Sequence, residues 1–469
     1  CSEQAFTKYD LADDVNSPFY PFNTVPFTNY KQTHLLGRIS KTWNDNTIMW
    51  YSYDMYGRVI WTIEYIIDPL IASYKTIDYE YDASGNVINK IYQKYDSEYF
   101  EHRYTYDNGQ KLKKVETSSN GTIYYDQANY SYYQHGPLKR SEIGDEIQGV
   151  DYVYTIEGKL KAINSPNLGV TSGLTFVDPG HDGETGSNFD TDLFGMVIDY
   201  HQNDYKRDNT YINYGLGSNE KFSGTINQLR WNLESSSLAT NLTTQGKQNV
   251  YQYKYNQFNW LEEAVFGEYE ATCNQNSGSA NCPTLPIFTP EPLEQFKVSG
   301  ITYDKNGNIE TLRRNGNSSG GINMDELTYN YAYTTQADGD VVKDNNRLLY
   351  VTDIYGATIH GSDIGSQSAN NYSYNSRGEI IADALENKTY TYYESGLAKE
   401  IFDNGVLKIK FIYNAKGQRL KKSIYDNSGV IEKEIIYVRD LSGSVIATYE
   451  KEVNNTIAKD YSIIGANLI

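Results

Sequence analysis

A tyrosine–aspartate hairpin signature recurs along this chain and limits the folds that it can adopt. In the stretch YEYDASGNVINKIY, Tyr79 and Tyr81 are two residues apart, which places both side chains on one face of a β-strand. Asp82 and Gly85 stand first and fourth in the next four residues, a pattern typical of a type I turn followed by a left-handed glycine. The residues NVINKIY then resume the alternation. The stretch therefore predicts a β-hairpin that reverses between Asp82 and Gly85.

The same reversal returns at widely separated positions. The further copies have Asp or Asn first and Gly fourth, and they lie at Asp54–Gly57, Asp304–Gly307, Asn375–Gly378, Asn414–Gly417 and Asp440–Gly443. The aspartates are best explained as turn formers rather than as acids or bases. Because a single hairpin is only marginally stable in water, successive hairpins have to pair side by side. We predict an all-β repeat array of antiparallel hairpins that curls into a spiral strip or a hollow shell.

Composition supports this class and excludes others. Tyrosine supplies 46 of the 469 residues, and its apolar ring and polar tip suit strands whose faces both meet some water. The formal net charge of -19 argues against nucleic-acid binding, which needs a basic face, and against binding to an anionic membrane surface. The sequence also lacks the run of about 18 apolar residues that a membrane-spanning helix requires.

Changes of pattern divide the chain into five segments. They are a proline-containing tether or cap (1–45), a first repeat block (46–165), a Gly- and Asp-rich insertion followed by strands (166–250), a second repeat block (251–435) and a last segment (436–469).

The repeats resemble those of the Rhs/YD-repeat family of bacterial proteins. The stretch YNAKGQRLKKSIYD, from Tyr413 to Asp426, is close to a typical late repeat, and YVRDLSGSVIATYE, from Tyr437 to Glu450, is similar to the start of the family's C-terminal core region. The resemblance covers roughly residues 45–469. It implies hairpins wound into a hollow shell, whose cavity holds a toxic polypeptide that follows the core in sequence. The stretch that ends at Ile469 stops before the family's self-cleavage motif, so no autoprotease residues are assigned.

The cysteines predict an oxidising compartment and a lipid anchor. Cys273 and Cys282 bracket the polar loop CNQNSGSANC, where a disulfide would fix an insertion; two free thiols are the alternative. Cys1, followed by Ser2 and Glu3, resembles the mature start of a bacterial lipoprotein, although a chance boundary at a cysteine would look the same. We therefore expect lipidation at Cys1 and attachment to the outer membrane through lipid alone, with the protein exposed at the cell surface.

One acidic segment is a candidate calcium site. The stretch DPGHDGETGSNFDTD carries five carboxylates that repel one another unless a hard cation lies among them: Asp178, Asp182, Glu184, Asp190 and Asp192. A second candidate is ADGDVVKD, with Asp338, Asp340 and Asp344. Neither stretch has EF-hand spacing, and the alternative for both is a solvated acidic loop. We expect no other cofactor.

These observations predict a non-enzymatic protein. The six histidines are widely separated, and the sequence lacks zinc-helix and phosphate-loop motifs. The function that we predict is a cell-surface Rhs scaffold that houses or presents a C-terminal effector in interbacterial antagonism. Its partner would be its own C-terminal effector region or another outer-membrane protein. The alternatives are an adhesin, a carbohydrate-binding module or an accessory lipoprotein subunit, and, last, a polysaccharide-acting enzyme with paired carboxylates.

Overall fold

The chain folds almost entirely into antiparallel β-structure. The computed structural model describes residues 4–16, 19–23, 27–68, 73–166, 168, 178–207, 210–211, 222–233, 247–270, 287–317, 322–355, 364–452 and 458–465. Within these ranges the secondary structure is 32 strands and one short 3-10 helix, Phe27–Asn29, with no α-helix. The chain divides into two compact units, unit 1 (residues 1–129 and 374–469) and unit 2 (residues 130–373).

The strands follow one another as hairpins. The first group is β1 Phe6–Tyr9, β2 Ile39–Trp43, β3 Thr47–Tyr53, β4 Val59–Ile66, β5 Ser73–Tyr81, β6 Val87–Tyr92, β7 Phe100–Tyr106, β8 Leu112–Ser118 and β9 Tyr125–Tyr132. The middle group is β10 Leu138–Ile143, β11 Gln148–Tyr154, β12 Leu160–Ile163, β13 Phe194–Asp199, β14 Lys206–Arg207, β15 Thr210–Tyr211, β16 Gln228–Leu233, β17 Lys247–Tyr255, β18 Leu261–Glu270, β19 Ile287–Pro290, β20 Val298–Tyr303, β21 Ile309–Asn315, β22 Asn323–Thr335 and β23 Val341–Asp353. The last group is β24 Tyr372–Tyr374, β25 Ile380–Asp383, β26 Lys388–Tyr392, β27 Ala398–Asp403, β28 Val406–Tyr413, β29 Arg419–Tyr425, β30 Ile431–Arg439, β31 Val445–Glu452 and β32 Ala458–Tyr461. The predicted all-β class and antiparallel hairpins are confirmed.

The recurrent turns share one hydrogen-bond pattern. In the β5–β6 hairpin, the Gly85 amide donates to the Asp82 carbonyl at 3.2 Å, and the Asp82 amide donates to the Asn86 carbonyl at 3.0 Å. The Asp82 carboxylate accepts the Asn86 amide at 2.9 Å, and Gly85 has a φ of 97°. Turns with the same pattern begin at Asp54, Asp304, Asn375, Asn414, Asp426 and Asp440. Each turn needs a first residue whose side chain accepts amide hydrogens and a fourth residue that tolerates a positive φ.

The conserved geometry of these turns places a tyrosine next to the preceding hairpin. The Tyr81 hydroxyl, at the end of β5, donates to the carbonyl of Val59, the first residue of β4, at 2.7 Å. We call this bond, from a tyrosine in one strand to the carbonyl of the first residue of an earlier strand, the tyrosine staple. Further staples join Tyr53 to Ile39, Tyr106 to Val87, Tyr303 to Leu261, Tyr331 to Ile309, Tyr392 to Ile380 and Tyr413 to Ala398. The staple gives these hairpins a second connection to a neighbour, and it requires a hydroxyl that phenylalanine lacks.

Unit 1 is built from both ends of the chain. Its largest hydrophobic core joins β4, β5 and β6 to the strands β29, β30 and β31. The buried members of that core are Ile66, Ile77, Tyr79, Tyr92, Leu420, Ile436, Val438, Ile446, Ala447 and Tyr449. Burial of so much apolar surface holds the two segments together, although Tyr449 follows Tyr92 by 357 positions in the sequence.

Polar contacts surround this core. Lys90 Nζ lies 2.5 Å from Asp440 Oδ2, and both side chains are buried. Lys421 Nζ lies 2.7 Å from Asp68 Oδ2. The fully buried His102 has its Nε2 atom 2.9 Å from the Ser462 carbonyl, so Nε2 carries the proton. We refer to these contacts as the N–C clasp. Because they are desolvated, loss of one partner would leave the other without compensation.

The segment before the first repeat packs on the strands. β1 pairs with β2, and Tyr30 joins a core with Ile48, Trp50 and Trp61. Unit 2 has its own core around Val153, Val197, Val250 and Tyr269. The described part of the chain therefore contains separate cores for the two units, each formed where strand faces meet.

Candidate functional site

A buried group of carboxylates lies in unit 2, where β10 and β11 meet the segment that precedes β13. Arg140 on β10 and Asp151 on β11 are direct cross-strand partners. Asp178, Asp182 and Asp192 come from the acidic stretch DPGHDGETGSNFDTD. We call Asp151, Asp178, Asp182 and Asp192 the carboxylate cluster. Each of its side chains is at most 6 % exposed.

A single guanidinium contacts two members of the cluster. Arg140 Nη2 donates to both carboxylate oxygens of Asp182, at 2.8 and 3.1 Å, and Arg140 Nη1 donates to Asp151 Oδ2. The guanidinium carbon lies 4.6 Å from the centre of the Phe189 ring. A Cβ atom on Gly180 would overlap Arg140 and Asp151, so only glycine allows the acidic segment to approach this closely.

The other two carboxylates are held from the opposite side. The Asp182 amide donates to Asp178 Oδ2 at 3.0 Å, which closes a turn within the acidic segment. The Asn164 side-chain amide donates to Asp192 Oδ1 at 2.7 Å, and its Oδ1 atom accepts the Asp151 amide at 2.7 Å. Asn164 therefore connects the strand that carries Asp151 to the residue that begins the approach to β13.

Two oxygens of the cluster remain without a hydrogen-bond donor. Asp151 Oδ1 and Asp178 Oδ1 are fully buried and have no partner among the described residues. One oxygen each from Asp151, Asp178 and Asp182 lie within 4.8 Å of one another. A buried carboxylate oxygen without a donor is costly, so this arrangement is suited to a cation.

Burial and mutual repulsion raise the affinity of the cluster for positive charge. Burial raises the pKa of Asp151 to about 6, although the neighbouring Arg140 lowers it. Burial, followed by the nearby Asp178 carboxylate, raises the pKa of Asp192 to about 8. Four carboxylates face one guanidinium, and negative charge therefore predominates.

Only some of the residues predicted from the sequence as calcium ligands lie together in the structure. Asp178, Asp182 and Asp192 come together, whereas Glu184 contacts His181, with 3.1 Å between Oε2 and Nδ1, and Asp190 is exposed. Asp151 and Arg140 did not figure in the sequence prediction. The available signal was Asp151 itself, an aspartate inside the strand motif GVDYVY, where aspartate is disfavoured.

The remaining predicted sites are simpler to place. Asp338, Asp340 and Asp344 of the second acidic stretch are exposed around the β22–β23 hairpin. Cys1, Cys273 and Cys282 lie outside the described residues, so lipidation and the disulfide stay predictions. Among the described residues, no helix is long and apolar enough to cross a membrane.

The repeated hairpins, turns and staples define an all-β repeat fold. No protein-family model matches the chain, and no curated protein matches its sequence. Solved structures do share the fold. A chain in the crystal structure of TcdB2-TccC3-Cdc42 is similar to this chain, with a TM-score of 0.56 and 14 % sequence identity. The match covers 92 % of the present chain and 18 % of the TcdB2-TccC3-Cdc42 chain. The crystal structure of TcdB2-TccC3 matches 89 % of this chain and 18 % of that chain, with a TM-score of 0.53 and 14 % identity. The chain thus spans about a fifth of the length of these similar chains.

Proposed function

We propose that this chain is a non-enzymatic scaffold, part of a bacterial surface protein that houses or presents a polypeptide effector. The observation that carries the proposal is the similarity of nearly the whole chain to TcdB2-TccC3, a toxin-shell complex. In such a scaffold the individual repeat has no chemistry of its own. The binding surface is instead made jointly by many hairpins.

The contacts in the described residues suit this role. Tyrosine staples connect several hairpins to their neighbours, and the N–C clasp connects the two ends of the chain in one unit. Both features stabilise the strands against separation. A container for a polypeptide has to resist such separation. An enzyme would instead need a compact set of reacting groups in an accessible cleft.

The gene that encodes this chain provides the first test. We expect the reading frame to continue beyond Ile469 into an effector region, with a gene for a neutralising protein beside it. The complete protein should shield that region from protease until the scaffold is unfolded, and deletion of the effector region should abolish killing of competitor cells. A reading frame without any effector region, or an effector region cleaved as fast as the isolated polypeptide, would contradict the proposal.

The proposed location is the outer membrane, through lipid on Cys1. Mass spectrometry of the protein extracted from native membranes should find acyl chains on the peptide that begins at Cys1. A Cys1→Ser variant should pass into the soluble fraction, while a Cys273→Ser variant stays with the membrane. An unmodified Cys1 in native membranes would reject the anchor.

A second candidate, carbohydrate binding, has support from one row of aromatic side chains in unit 2. The Trp231 and Tyr251 rings stack with 5.9 Å between centroids, and Phe266 lies 5.3 Å from Tyr251. All three rings are partly exposed and could stack on sugar rings. A glycan array should then show ligands for the complete protein that the Trp231→Ala variant loses. An array without any ligand would remove this candidate.

A further inference from the structure

We propose that the carboxylate cluster is a calcium site that fastens the acidic segment, from Asp178 to Asp192, to the strands β10 and β11. The proposal concerns unit 2 alone and does not depend on the scaffold function. It replaces the ligand set suggested by sequence with Asp151, Asp178 and Asp182, with Asp192 beside them.

The spacing of the oxygens matches a common ion. Calcium binds oxygen at about 2.3–2.6 Å, so two ligands of one ion are at most roughly 5 Å apart. The oxygens of Asp151, Asp178 and Asp182 lie within 4.8 Å of one another. Only small movements of these side chains would be needed to bring all three into coordination distance.

The orphaned oxygens are the second, independent observation. Asp151 Oδ1 and Asp178 Oδ1 are buried without a donor among the described residues, whereas the other oxygens of the same two carboxylates are engaged by Arg140 and by the Asp182 amide. One oxygen of each of these two carboxylates therefore accepts a hydrogen bond, and the other oxygen is available to a ligand. A shared proton between Asp178 and Asp192 would relieve repulsion between those two groups, but it would not supply a donor to Asp151.

Arg140 does not replace the ion. Its guanidinium is already used by Asp182 and Asp151, and Asp178 and Asp192 have no cationic side chain in contact with them among the described residues. The donor set consists entirely of carboxylate oxygens, which favours a hard cation over zinc. Magnesium usually retains several waters, and a cluster whose side chains are at most 6 % exposed gives these little room. Calcium, which accepts bidentate carboxylates, fits best.

Binding would join two parts of unit 2 through one ion. Asp151 belongs to β11, while Asp178 and Asp182 belong to the acidic segment, and Asn164 links Asp151 to Asp192. Without the ion, the carboxylates repel one another, and Arg140 supplies the cationic contact to the segment beside the neutral hydrogen bond from Asn164 to Asp192. Calcium would therefore act on the stability of unit 2.

The test compares thermal unfolding of the full chain in calcium chloride, magnesium chloride and EGTA. At calcium about a hundredfold above its dissociation constant, we expect the transition of unit 2 to rise by on the order of 5 °C and to return when chelator is added. Isothermal titration calorimetry with calcium chloride should show one site. An identical transition in calcium and EGTA, or a response to magnesium alone, would overturn the assignment.

Variants separate binding from simple damage to the fold. Asp178→Asn should abolish the calcium-induced shift and, because repulsion is relieved, should unfold at a higher temperature than the unsubstituted chain in EGTA. Glu184→Gln and Asp190→Asn lie in the same segment but outside the cluster, so both should retain the full shift. An Asp178→Asn variant that keeps the calcium response would refute the site even if its stability changed.

Discussion

Tyr81 shows what a single tyrosine contributes to this protein. Its ring lies on a strand face, 4.6 Å from the Arg58 guanidinium, and its hydroxyl closes the staple to Val59 at 2.7 Å. Burial of ring and hydroxyl together explains why tyrosine, rather than phenylalanine, dominates the aromatic content. The repeated tyrosine therefore has a structural role, and its hydroxyl makes a specific hydrogen bond.

Loss of one staple should be measurable. We expect Tyr81→Phe to lower the free energy of unfolding by about 1 kcal/mol, since it removes one hydrogen bond and leaves the ring in place. Urea unfolding of unit 1 measures the change. Tyr56→Phe is the matched control, because Tyr56 is 76 % exposed and should lose nothing. Equal stabilities of the two variants would mean that the staple contributes no free energy.

His102 should make unit 1 sensitive to acid. Burial, followed by the nearby Lys90 charge, lowers its pKa from 6.5 to about 4. An unfolded chain takes up the proton below about pH 6.5, whereas the folded chain resists until about pH 4, so stability falls as the pH falls through this window. The full effect is about 3 kcal/mol.

Comparison of His102→Gln with the unsubstituted chain isolates this effect. Glutamine can still donate to the Ser462 carbonyl but does not titrate, so the variant should lose less stability between pH 6.5 and pH 4. Burial raises the pKa of Glu64 to about 7, which acts in the opposite direction and is common to both proteins. His135→Gln, at an exposed position, should retain the acid sensitivity. Parallel pH profiles for His102→Gln and the unsubstituted chain would disprove the role of His102.

At the scale of the hairpin, the recurrent Asp or Asn turn sets the register of the strand pairs that it connects. The Asp or Asn at the start fixes two amides, and the positive φ at the fourth residue produces the bulge that returns the chain. The β7–β8 hairpin is an exception, because its fourth residue is Gln110, with a φ of 63°. The glycine of that turn, Gly109, stands one position too early. Side chains with a Cβ atom adopt this conformation at a cost of about 1–2 kcal/mol.

This exception predicts a stabilising substitution. Gln110→Gly should raise the free energy of unfolding by up to about 1 kcal/mol, because relief of backbone strain exceeds the added freedom of the unfolded chain. Gly85→Ala should do the reverse by a similar amount. Its Cβ atom would meet only Arg58, at 4.0 Å, so strain rather than a clash would cause the loss. Chemical denaturation compares the two variants, and a Gln110→Gly variant that loses stability would contradict the turn assignment.

At the scale of the whole molecule, the ends of the chain share a unit. Residues 1–129 and 374–469 enclose one core, whereas residues 130–373 form the other unit between them in sequence. Unit 1 therefore cannot complete its core until the last strands have been made. The N–C clasp adds buried ion pairs. These pairs form only when the two segments pack together correctly, because an incorrect pairing leaves the buried charges without partners.

Two fragments should reassemble unit 1. We expect residues 1–132 to aggregate when produced alone and to become soluble and copurify with residues 374–469, because each buries the apolar face of the other. Asp440→Asn in the second fragment should weaken binding at least about a hundredfold: it leaves Lys90 buried without its counter-ion but preserves the turn hydrogen bonds. Glu432→Ala, at an exposed position of the same fragment, should leave the affinity between the fragments unchanged. Failure of the unsubstituted fragments to bind would contradict the shared core.

The sequence alone determined the features that depend on neighbouring residues. The period-2 pattern, the first and fourth residues of each turn and their repetition defined an all-β hairpin array, because strand alternation and turn hydrogen bonds act over about ten residues. It also marked the acidic segment that supplies Asp178, Asp182 and Asp192, since like charges close in sequence are visible without a fold.

Only the tertiary structure decided which distant residues meet. Asp151 joins the cluster because β10 pairs with β11 and the acidic segment folds back over both, and Glu184 and Asp190 are left outside for the same reason. Lys90 meets Asp440 across 350 residues of sequence, and Tyr92 meets Tyr449 across 357. No local pattern encodes such partners, because they are selected by the packing of strand faces that approach one another only when the whole unit has formed.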